Sequence, residues 1–107
     1  MKLAIVGEED LRIRNLEAYV PYNTDEIVST GEDIWEDVVD FSKKYGFKMT
    51  VFFEPVYYTN GSRIIRNVMI TAYADELLAF CRDNSSKTQQ IIECFNQNKK
   101  RVRMIKI

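Results

Sequence analysis

The chain has no histidine. That removes the side chain most often used for proton transfer near neutral pH, and the commonest ligand of catalytic metals. It has only two cysteines, Cys81 and Cys94, without CxxC spacing. Both sit in apolar contexts, LLAFC and IIECF, and read as small core residues rather than redox partners or zinc ligands. Nothing in them suggests an oxidising compartment. Two prolines and four glycines are too few for a low-complexity linker. No apolar run approaches the roughly 18 residues of a membrane helix. The opening MKLAIVG is too short for the apolar region of a signal peptide. The expectation is a cytoplasmic protein with no membrane partner and no metal or other cofactor.

Charge of either sign is also not in excess. Fifteen Lys and Arg stand against sixteen Asp and Glu, a net charge of −1. Such a balance exerts no long-range pull on phosphate backbones, so there is no strong nucleic-acid signal. The stretch Lys99, Lys100, Arg101, Arg103, Lys106 is locally basic and reads as a solvated helix end followed by an edge strand. What the chain does have is apolar residues at 46% over 107 positions. That is one domain, residues 1–107, able to bury roughly 60–70% of its unfolded surface without staples.

Leu3 to Val6 is an apolar run closed by Gly7, as in a strand covered on both faces. Leu11, Ile13, Leu16 and Val20 form a rough helical stripe stopped by Pro21. Glu26 to Ser29 reads as a second strand and Thr30-Gly31 as a turn. Asp33 to Tyr45 reads as a helix with Ile34, Val38, Phe41 and Tyr45 on one face, ended by a left-handed Gly46. Met49 to Phe53 is a third strand, and Glu54 to Gly61 a loop. Ser62 caps a helix to about Tyr73, with Ile65, Val68, Met69 and Ala72 on one face. Leu77 to Cys81 is a fourth strand and Thr88 to Asn98 a fourth helix anchored by Ile91, Ile92 and Phe95. Arg101 to Ile107 is a fifth strand. This alternation predicts a three-layer α/β/α sandwich of Rossmann-like type, with a five-stranded, mainly parallel sheet. Such sheets take ligands at the carboxyl ends of their strands, where the strand order reverses.

The loops at those ends hold the candidate ligand residues. Gly7 and Glu8 follow strand one, and Ser29, Thr30 and Gly31 follow strand two. Ser86, Lys87 and Thr88 follow strand four, after Asn84 and Ser85. Amides at a helix start bind phosphate or carboxylate, and Lys87 and Thr88 add a cation and a hydroxyl. Ser and Thr at these joints equally serve as helix caps. Arg66, with Arg63 and Asn67 beside it, either clamps a phosphate through two hydrogen bonds or pairs with an acid. Tyr57 and Tyr58 either stack on a base or seal their loop. No nucleophile with a base beside it and no cluster of metal ligands is legible.

The stretch IIRNVMITAYADELLAF, followed by SSKTQQIIE, resembles the SLOG superfamily, the DprA- and LOG-like nucleotide-binding domains of Rossmann type. The likeness is nearest to the small stand-alone bacterial type. The points of likeness are the strand ending in Gly7, the turn at Ser29-Thr30-Gly31, the Arg66-Asn67 pair, Ala74-Asp75 and Thr88. The resemblance implies binding of a nucleotide or nucleotide-derived ligand in the strand-end cleft. The motifs are degenerate: Thr30 replaces a glycine, Glu32 adds charge near the expected phosphate, and Lys87 replaces the glycine before the threonine. Three residues after Thr88, where enzymatic members place a glutamate, stands Ile91, so catalysis is not implied.

The expected function is therefore non-catalytic binding or sensing of a nucleotide-like small molecule, with no catalytic residue. Three other readings stand beside it. One is a scaffold that kept the fold and lost the ligand. Another is a weak nucleotide hydrolase using Glu8, Glu32 or Glu93 as its acid. The last is a receiver-like domain with Glu54 where a phospho-acceptor would be. A final strand without a covering helix leaves an edge, so a homo-oligomer is also expected.

Overall fold

The computed structural model describes residues 1–8, 10–32, 34–53, 61–82 and 86–107. Asp33, Glu54, Tyr57, Tyr58, Asn84 and Ser85, named above, lie outside the described residues, as do the side chains of Ser62 and Ser86. Five strands form one sheet: β1 (Lys2–Gly7), β2 (Glu26–Ser29), β3 (Lys48–Val51), β4 (Glu76–Cys81) and β5 (Arg101–Lys106). Three helices connect them: α1 (Trp35–Tyr45), α2 (Ser62–Tyr73) and α3 (Ser86–Gln97). The strand order is β3-β2-β1-β4-β5 and every pairing is parallel. The sandwich is Rossmann-like, as expected, and its sheet is parallel throughout.

The sheet is the core. β1 and β4 lie centrally and are apolar on both faces, with Leu3, Ala4, Ile5, Leu77, Leu78, Ala79 and Phe80 almost fully buried. Alternation divides them. Leu3, Ile5, Ile27, Leu78 and Phe80 face α1 and the connector before β2. Ala4, Val6, Val28, Leu77, Ala79 and Cys81 face Ile70 of α2 and Ile91, Ile92 and Phe95 of α3. Burying a large aliphatic or aromatic side chain contributes about 1.5–3 kcal/mol, so these two clusters drive folding. Gly46 ends α1 at φ 71°, in the left-handed region expected for a glycine there. Glu36 and Asp37 in the first turn and Lys43 and Lys44 in the last match the helix dipole.

Several expectations need correction. The stretch from Leu11 to Val20 is not an α-helix; only a 3-10 turn forms, at Leu16–Ala18. Leu11, Ile13 and Leu16 are nonetheless buried, plugging the α1 side of the sheet. The spacing 11, 13, 16 does not repeat every 3.6 residues, and Asp37 competes for the backbone. Its carboxylate accepts the Ile13 amide at 2.8 Å and also holds Arg12. β3 ends at Val51 rather than Phe53, and α3 starts two residues earlier than Thr88. Cys94 is only half-buried. Lys100 is not simply solvated: its Nζ donates to the carbonyls of Thr71, Ala72 and Ala74, closing the end of α2.

The largest correction concerns α2. The face carrying Ile65, Val68 and Met69 points to solvent, while Arg66, Asn67, Ile70 and Thr71 point inward. Among the described residues, no helix is long and apolar enough to cross a membrane.

Candidate functional site at the strand-order reversal

From β1 the sheet grows to β2 and β3 on one side, and from β4 to β5 on the other. The reversal lies between the carboxyl ends of β1 and β4. In doubly wound sheets this is where chain connections part and leave a crevice. Here that crevice is lined by Val6, Gly7, Thr30, Glu32, Arg66, Lys87, Thr88 and Ile91. The position follows from the elements: Gly7 ends β1, Thr30 follows β2, Arg66 sits in the second turn of α2, and Lys87 and Thr88 open α3.

The crevice is centred on an ion triad. Nη1 of Arg66 donates to Oε1 of Glu32 at 2.7 Å, and Nζ of Lys87 lies 3.2 Å from Oε2 of the same carboxylate. The Arg66 side chain is only 4% exposed. Its Nη2 donates to Oδ1 of Asn67 at 3.2 Å. Its Nε is buried and has no hydrogen-bond partner among the described residues. Burial pushes the Glu32 carboxyl upward. The hydrogen bond and charge of Arg66, then those of Lys87, outweigh it and hold the carboxyl below its ordinary range. A full negative charge is therefore kept between two cations. The remaining free volume is about 10 Å³, room for one water at most.

The sequence candidates separate into two groups. Gly7, Thr30, Arg66, Lys87 and Thr88 line the crevice together. Glu8, Ser29, Gly31 and Asn67 do not. The Glu8 carboxylate accepts the Arg82 amide at 2.9 Å, tying the end of β1 to that of β4. Ser29 Oγ accepts the Gly31 amide at 3.2 Å and shapes the turn after β2. Gly31 has φ 77°, which favours glycine. Asn67 is 1% exposed and steadies Arg66 from behind. Gly7 leaves space for a core residue rather than for a ligand, because a Cβ there would stand 2.7 Å from Cγ2 of the buried Ile34. Asp75 lies at the opposite end of the sheet, accepting the Lys2 amide at 2.7 Å.

Glu32 is the central residue that the sequence did not place among ligand contacts. Its charge near the expected phosphate was legible, but its role as the crevice's own anion was not. Ile91, three residues after Thr88, forms part of the apolar wall. Larger hollows exist elsewhere. One of about 360 Å³ lies at the amino ends of the strands, where Glu76 already faces Arg101 at 3.8 Å and Arg103 at 3.6 Å.

Fold and site together define a doubly wound parallel α/β protein whose switch-point crevice holds its own carboxylate between two cations. No family model, curated protein or solved structure matches the chain.

Proposed function

We propose that the chain binds a nucleotide-like anion at this crevice without chemically changing it, and that Glu32 is the internal competitor the ligand displaces. One observation carries the reading. A carboxylate held by a buried guanidinium and a lysine occupies the switch point, where this architecture otherwise receives a ligand anion. The guanidinium is preorganised by Asn67 and retains an unused donor at Nε among the described residues. A phosphate oxygen placed where the Glu32 carboxylate sits meets the same two cations and the opening turn of α3. The SLOG-like pattern around Arg66-Asn67 and Thr88 supports a nucleotide over a bare anion.

Hydrolysis is the poorer reading. A general acid must keep its proton near neutral pH, and Glu32 is held in the opposite direction. Glu8 is engaged by the Arg82 amide, and Glu93 is exposed. The small free volume favours a second reading, a scaffold whose crevice has closed for good.

Thermal unfolding of the wild type and of Glu32→Gln, each with nucleoside monophosphates, inorganic phosphate or neutral nucleosides, separates the two. Binding predicts that a nucleoside monophosphate stabilises Glu32→Gln more than the wild type and that neutral nucleosides do nothing. At a hundredfold excess over Kd the gain is about 2.7 kcal/mol. No response from either protein to any nucleotide leaves the scaffold reading.

A further inference from the structure

We propose that two copies of this chain associate through the outward face of α2, the helices packing antiparallel about a two-fold axis near Val68. The proposal is independent of ligand binding and rests on a helix turned the wrong way round for a lone monomer. A helix on a sheet buries its apolar stripe and wets its polar one. In α2 the buried positions include Arg66 at 4%, Asn67 at 1% and Thr71 at 1% exposure. Ile64, Ile65, Val68 and Met69 are all more than half exposed, between 53% and 59%. The exposed Ala72 extends the same stripe by one turn.

The occupant that fits is a second α2. Arg63 and Arg66 are the only charged residues in the helix, and Arg66 points inward. The stripe therefore has no charge with which to recognise an acidic or basic partner, while the centre of a protein interface is apolar and depleted of charge. The four large side chains leave on the order of 400 Å² of apolar surface in water, at the size where such patches mark contacts. A stable dimer buries roughly 800 Å² per partner, so the stripe supplies its apolar centre and the flanking surface its rim. Positions 64, 68 and 72 are spaced evenly about Val68. Antiparallel pairing sets Ile64 of one protomer against Ala72 of its partner, large against small, with Val68 meeting its own copy. The arrangement is isologous and closes at two copies.

Sedimentation equilibrium of the full chain tests this, with Val68→Glu as the variant. Val68 is exposed, so the substitution leaves the monomer's far-UV circular dichroism unchanged. The wild type is expected to be dimeric at micromolar concentration. Val68→Glu is expected to be monomeric, its dissociation constant raised about thirtyfold or more, as for a central interface residue. A wild type that remains monomeric at hundreds of micromolar overturns the proposal, as does a Val68→Glu chain that stays dimeric. Should Val68→Glu fail to fold, Val68→Cys in a Cys94→Ser background decides. A disulfide-linked dimer forming under mild oxidation supports the axis, and no linkage overturns it.

Discussion

Changing Glu32 to glutamine removes one charge and almost no volume. Arg66 keeps a hydrogen-bond acceptor but loses its counter-charge while only 4% exposed. Leaving a fully buried charge without its partner costs about 3–5 kcal/mol. Two features reduce that here. Glu32 itself is 28% exposed, so water reaches the site, and the glutamine amide oxygen still accepts from the guanidinium. The expected loss is therefore about 1–2 kcal/mol at neutral pH. Urea unfolding measures it as a fall in midpoint with an unchanged slope, since the surface exposed on unfolding is the same. The double variant Glu32→Gln/Arg66→Met is expected to recover much of the loss, because it removes the stranded charge. A Glu32→Gln chain as stable as the wild type would mean that the guanidinium does not depend on this carboxylate, and the triad would lose its place in the argument.

Acid titration gives a second check. In Glu26 and Glu32, burial raises the carboxyl pKa, but hydrogen bonds outweigh it: from Tyr73, Thr50 and Lys48 for Glu26, and from Arg66 and Lys87 for Glu32. Both folded values lie below the unfolded value of about 4.3, so their stabilisation is complete above that pH and drains as pH falls through the folded values. Glu32→Gln should flatten this acid limb in a urea-midpoint series, and an unaltered limb would contradict the triad. Asp37→Ala should cost about 1–3 kcal/mol, because the Ile13 amide loses its acceptor in a part-buried place; a loss under half a kcal/mol would mean that the connector does not rely on this bond. Gly7→Ala should cost about 1–3 kcal/mol, since its Cβ presses on Ile34 in the core. Thermal melts check it, and a neutral effect would show that Ile34 moves aside freely.

The fold was largely legible because the central strands are continuous apolar runs. Glu26–Ser29 and the end of α2 at Tyr73 stand as the residue patterns imply, while Gly61 rather than Ser62 stands at the N-cap of α2. The connector before β2 misled because Leu11, Ile13 and Leu16 look like half a helix. What decides their conformation is a carboxylate two dozen residues away, at Asp37. The facing of α2 misled for a related reason. Periodicity locates an apolar stripe but not the side on which the sheet lies, and here Arg66 and Asn67 are drawn inward by Glu32 and by each other. At the site, Arg66, Lys87 and Thr88 could be anticipated from strand-end topology. The anion between them could not, since Glu32 gains its meaning only when α2 and α3 bring two cations to it.

The most direct measurement is calorimetric titration of a nucleoside monophosphate into Glu32→Gln, alongside the wild type and Glu32→Gln/Arg66→Met. Displacement of an internal carboxylate predicts measurable binding to Glu32→Gln, at least about tenfold tighter than to the wild type for each 1.4 kcal/mol of competition removed, and none once Arg66 is gone. Equal affinity in all three proteins, or heat from none of them, would contradict a ligand site at the meeting of β1 and β4.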